Sequence, residues 1–114
     1  MHDVPNRIAD VLLEVEAILR TNGKWDETSP SNDELASEQP FCMDTLAFEQ
    51  WLQWVLLPRM KITLEEMKPL PAKSSIFVYA KERLKKNDPS RGRLLKLIKT
   101  FDELIKTQSK ARLN

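Results

Sequence analysis

Seven apolar side chains near the start of the chain recur at the spacing of one helical face. Val4, Ile8, Val11, Leu12, Val15, Ile18 and Leu19 follow the i, i+3, i+4, i+7 pattern without a miss. Asp3 is placed to cap this helix, Pro5 falls in its first turn, and Asn22-Gly23 supplies a left-handed stop. Asp10, Glu14, Glu16 and Arg20 take the solvated side. A stripe this regular must be covered by other elements, and the remaining sequence supplies more helices to cover it. The chain has only two glycines, and its seven prolines fall at segment boundaries. Sheets would need more turn residues and more β-branched runs.

A second helix is predicted from Asp44 or Thr45 to about Leu57. On a wheel at about 100° per residue, Ala47, Phe48, Trp51, Leu52, Trp54, Val55 and Leu56 sweep half the circumference or more. A helix so apolar belongs at the centre of its bundle. Pro58 ends it, kinks it or opens the next turn. Residues 59–68 can continue helically, with Met60, Leu64 and Met67 facing in, and Pro69-Leu70-Pro71 forms a rigid break. A third segment runs from a cap at Ser74 or Ser75 to Asn87, with Ile76, Phe77, Ala80 and Leu84 on one face. Asp88-Pro89 is a cap followed by an N1 proline, opening a last helix that carries Leu94, Leu97, Ile98, Phe101, Leu104 and Ile105. Residues 24–44 are rich in serine, proline and acids. Within them 26–38 read as an irregular acidic connection anchored by Trp25 and Phe41, and residues 107–114 read as a frayed polar tail. The expected fold class is all-α: one domain over 1–114, a compact four- to five-helix bundle around the central apolar helix.

At 114 residues there is room for one core, and 41% apolar with 31% charged side chains is ordinary for a water-soluble domain. No apolar run approaches the ~20 residues of a membrane span. The start of the chain lacks a basic and an apolar signal region, so the cytoplasm is the expected location. Charge is unevenly spread. Residues 1–45 carry three basic and ten acidic side chains, whereas 46–114 carry fifteen basic and seven acidic ones. Lys81, Arg83, Lys85, Lys86, Arg91, Arg93, Lys96 and Lys99 face only Glu82 and Asp88 in their window. Of these, Lys85, Lys86, Arg91, Arg93, Lys96 and Lys99 are the candidate site for a polyanion or a protein partner. The alternative is a solvated lysine-rich face, or a patch covered by the acids of the first 45 residues.

Catalytic chemistry has few carriers here. His2 is the lone histidine, at a chain terminus, and reads as incidental. Cys42 sits between Phe41 and Met43 and reads as a structural thiol. Asp26, Glu27, Asp33, Glu34 and Glu38 lack the spacing and central glycine of a calcium loop. Two glycines cannot build a phosphate loop. No catalytic residue, metal site or cofactor is expected. Trp51 reads as core, and Trp54, at the edge of the apolar arc, is the better placed for partial exposure.

One stretch is distinctive in itself. Glu38-Gln39-Pro40-Phe41-Cys42-Met43-Asp44-Thr45-Leu46, then Glu49-Gln50-Trp51-Leu52-Gln53-Trp54-Val55-Leu56-Leu57-Pro58-Arg59-Met60, with Pro69-Leu70-Pro71, resembles the YqcC-like family of small bacterial proteins over nearly the whole chain. Where the family pattern has Pro-Tyr-Tyr-Glu, this chain has Val78-Tyr79-Ala80-Lys81, and only Tyr79 fits. The resemblance implies an all-α bundle in a bacterial cytoplasm and carries over no catalytic residue. Genes of the family often lie beside a tRNA pseudouridine synthase. The expected function is a non-enzymatic binding or accessory protein acting through protein–protein contacts; the alternative is an RNA-associated module using the basic face.

Overall fold

The computed structural model describes residues 3–112, with side chains to Ser109; His2 lies outside it. Every regular element among the described residues is helical. Helix α1, Val4–Thr21, opens where the Asp3 carboxylate accepts from the Asn6 N–H at 2.9 Å. It buries Ile8, Val11, Leu12, Val15, Ile18 and Leu19. It closes with the Asn22 amide on the Ile18 carbonyl and Gly23 at φ 69°, a left-handed conformation that costs glycine least.

The connection that follows is less irregular than its composition suggests. Ser31 accepts from the Glu34 N–H and the Glu34 carboxylate accepts from the Ser31 N–H, closing the one-turn helix α2, Asn32–Leu35. The expectation of no regular structure through 26–38 is corrected at this turn. A reciprocal capping box satisfies two backbone donors locally and needs no apolar face. Beyond it, Phe41 and Cys42 both adopt positive φ in a tight turn, Pro40–Cys42.

The central helix starts at Phe48, three or four residues later than expected. The N–H groups of Thr45 and Leu46 turn back onto the Cys42 carbonyl, and Ala47 is extended. Gln50 then reaches back to accept from the Ala47 N–H at 2.8 Å. Helix α3, Phe48–Trp51, runs through one π turn, Leu52–Leu56, directly into α4, Leu57–Glu65. Pro58 therefore neither ends the helix nor starts a new one. It lacks the N–H that an α-helix would direct at residue 54, and in the widened turn the Leu57 N–H reaches back to Leu52 instead. Met67, expected inward, is exposed at φ 53° just past the end of α4.

Helix α5, Ile76–Arg83, stops four residues short of Asn87, and α6 spans Arg91–Arg112. The Asp88-Pro89 signature does not open α6. Asp88 accepts from the N–H and hydroxyl of Ser90, and the Ser90 carbonyl receives the Leu94 N–H, so the helix starts two residues later. Past Thr107, where a frayed tail is expected, α6 runs on to Arg112, and Gln108 is buried and donates to the Pro71 carbonyl at 2.8 Å; residues 113–114 lie outside the described ones. Helix α1 packs on α6 and α4, and α5 packs on α6. Phe48, Ile8, Leu19, Leu52, Leu94, Ile98 and Ile105 are fully buried where these faces meet. The chain is an all-α bundle, with the apolar helix at Phe48 and Leu52 in its core.

Candidate functional site

The six basic residues singled out from the sequence meet different fates. Arg91 has a structural task. Its guanidinium donates to the carbonyls of Lys81 at 3.1 Å and Leu84 at 3.4 Å, satisfying acceptors left open at the end of α5. Lys99 lies with its ammonium 5.8 Å from the centre of the Phe77 ring, and not on Glu103 one turn away. Lys85, Lys86, Arg93 and Lys96 are exposed and make no ion pair among the described residues. Arg83 points inward and donates to the Leu46 carbonyl at 2.9 Å.

The acids of the first 45 residues do not cover this window: no ion pair joins the two among the described residues. The contact between the halves runs the other way. Lys24, from the acidic half, pairs with Asp88 at 2.9 Å. The Asp88 carboxyl is held well below the usual carboxylate range, first by the Ser90 hydroxyl and then by the Lys24 ammonium. The Lys24 ammonium is raised by the same pairing.

A second surface lies between α1 and the α3–α4 helix. Leu12 and Leu13 on one side, Leu57 and Leu64 on the other, and Trp25 and Trp54 line a groove of about 850 Å³. Its rim carries Glu16, Arg20, Asp26, Glu27, Lys61 and Glu65, an acidic balance. Two contacts fix the end near Trp25. The Arg20 guanidinium lies 4.2 Å over the Trp25 ring and pairs with Glu16 at 2.9 Å. The buried Gln53 amide accepts from the Asp26 N–H at 2.8 Å and donates to the Asp26 carbonyl at 2.7 Å. Leu13 projects into the groove with 66% of its surface exposed. It falls outside the α1 core stripe; that misplaced leucine is the signal by which the groove could have been suspected.

Trp54 is half-buried, as its wheel position predicts, while Trp51 is 9% exposed. The Trp51 ring meets Phe41 edge-on at 4.7 Å, and Phe41 also packs on Tyr79 at 4.3 Å. Beyond Trp54 a smaller hollow of about 470 Å³ is bordered by Phe41, Cys42 and Arg59. Cys42 is buried and free. Among the described residues no group of three His, Cys, Asp or Glu side chains is placed to hold a metal, and no helix is long and apolar enough to cross a membrane.

The sequence and the fold both have relatives among known proteins. A family model described as tRNA pseudouridine synthase C (DUF446) matches residues 7–104. Uncharacterized protein YqcC of Escherichia coli K12 is 35% identical over 100 residues, covering 88% of this chain and 92% of that protein. An uncharacterized protein of Haemophilus influenzae is 35% identical over 80 residues, 70% of this chain and 76% of its own length. A Pectobacterium carotovorum protein named tRNA pseudouridine synthase C is also 35% identical over 80 residues, but these make up 21% of that longer chain. The solution NMR structure of E. coli YqcC matches with a TM-score of 0.78 at 34% identity, covering 91% of this chain and 89% of that one. Sequence and fold together show that the chain belongs to the DUF446 family, with YqcC among its relatives.

Proposed function

We propose that this chain is a non-enzymatic accessory protein that docks, through the groove between α1 and α3–α4, onto a tRNA pseudouridine synthase. The observation that carries the reading is the groove itself. Leu13 and its neighbours leave an apolar trough edged by charge, the form that accepts an apolar segment of another protein. The choice of partner draws on the Pectobacterium protein, in which a segment like this one shares a polypeptide with the rest of a chain named tRNA pseudouridine synthase C. The acidic rim favours a basic flank on the docked segment. Such a protein would work in the cytoplasm, where tRNA is modified.

The test is direct association of the purified chain with the tRNA pseudouridine synthase encoded in the same genome, measured by calorimetry. Binding that falls at least tenfold in Leu13→Asp, with an unchanged melting temperature, supports the reading. Absence of association, or association indifferent to Leu13, overturns it.

A second reading, association with RNA, rests on Lys85, Lys86, Arg93 and Lys96, which are exposed and unpaired among the described residues.

A further inference from the structure

Phe77 is a half-buried aromatic on α5 with two cations close to its ring. Lys81, one turn along α5, brings its ammonium within 5.7 Å of the ring centre, and Lys99 of α6 comes within 5.8 Å. Two elements thus deliver positive charge to one ring. Lys96 stands one turn before Lys99 on the same helix and is exposed. Arg93 follows one turn earlier again. Asp102, on α6, is occupied: it accepts from the Ser74 hydroxyl and from the N–H groups of Ile76 and Phe77.

An aromatic platform with lysines around it is what single-stranded nucleic acid requires. A base stacks on the ring, and phosphates on either side take the cations. Cation–π contacts at exposed sites are weak, so both lysines can leave the ring for phosphate oxygens at small cost. We propose that Phe77, Lys81, Lys96 and Lys99 form a binding surface for single-stranded RNA, with one base seated on Phe77. This rests on the RNA reading above and gives it a location, on residues that line no part of the α1–α4 groove. Of the six cations singled out from the sequence it uses Lys96 and Lys99, and adds an aromatic that the charge count did not contain.

The probe is a labelled twelve-nucleotide oligouridylate, titrated against the full chain at several salt concentrations, with a duplex RNA of equal length beside it. The parent should prefer the single strand, and its affinity should fall steeply with salt. In Lys81→Gln/Lys99→Gln the slope of log K against log salt should shrink by about 1.4, at roughly 0.7 per phosphate contact on a single strand. Phe77→Leu keeps an apolar side chain against the core but loses the ring. It should bind at least about fivefold more weakly with an unchanged salt slope, the mark of lost stacking. Thermal melting of each variant confirms that it is folded. Salt-dependent binding that these variants leave untouched would overturn the Phe77 surface while the RNA reading stood. No binding by the parent would end both.

Discussion

Asp102 caps a helix to which it does not belong: its carboxylate accepts from the Phe77 N–H at 2.9 Å and from the Ile76 N–H at 3.2 Å, across to α5 from α6. Ser75, the residue ahead of α5, offers no side-chain cap of its own. At the other end Arg91, also from α6, takes the open carbonyls. A helix of only eight residues is marginal in isolation, and α6 holds this one at both ends. Asp102→Ala should therefore cost about 1–2 kcal/mol, the scale of a lost helix cap. Denaturant titration measures it. Amide exchange should accelerate at residues 76–79 first, and Asp102→Asn should restore most of the loss.

Trp51→Ala removes a ring that packs on Phe41 and Phe48 with almost no solvent contact. The cost should be about 3–5 kcal/mol, from lost burial and the cavity left behind. A domain with ~5–15 kcal/mol of total stability can be unfolded by such a change. Trp54→Ala, at a half-buried position, should melt closer to the parent. Comparable losses at the two tryptophans would contradict the burial difference between them.

Gln53 deserves a substitution that keeps its size. In Gln53→Leu both backbone groups of Asp26 lose their partners, and unpaired polar groups at a covered site cost about 1–3 kcal/mol. Limited proteolysis should then cut the 24–31 segment faster than in the parent. Unchanged cleavage would mean the Asp26 anchor is held by something other than this amide.

The Lys24–Asp88 pair predicts a pH profile with two edges. Asp88 titrates below its ordinary 3.8 in the folded chain, so its contribution is complete above that value. It fades as the pH falls through the folded value, because the unfolded chain takes up the proton first. Lys24 titrates above its ordinary 10.5, so its contribution is complete below 10.5 and fades as the pH rises through the folded value. Melting temperatures from acid to alkali should show both edges in the parent, and Asp88→Asn should flatten both.

The sequence made α1 fully legible because everything that defines it is local: a cap, an N-terminal proline, an apolar stripe and a glycine stop. The apolar face of α6 was equally plain. What stayed hidden depends on distant partners. Nothing near Ile76 announces that its cap lies 26 residues away on Asp102. Asp88-Pro89 has the form of a helix start, yet Asp88 serves a turn and Lys24, and Ser90 takes the cap. The late start at Phe48 depends on Cys42 drawing the preceding residues into a turn. The basic window was visible as charge, but its division was not. Arg91 is spent on carbonyls, Lys99 turns to an aromatic ring, and Lys85, Lys86, Arg93 and Lys96 stay in water. Charge counts positions, and the partner of each side chain is decided by the packing of α5 on α6.

The π turn at Leu52–Leu56 sets the phase of everything after it. In an unbroken α-helix Met60 would point about 120° away from Phe48, twelve residues earlier, at roughly 100° per residue. One surplus residue accommodated in a widened turn takes back about 100°, which leaves the two nearly aligned. Both are in fact buried. The turn thus works as a vernier between two half-helices, and it gives this helix a place where a deletion keeps the two faces in phase. Removing a single residue between Gln53 and Val55 would tighten the turn and keep Phe48 and Met60 on one side. The same deletion inside α1 would rotate half of its stripe out of the core.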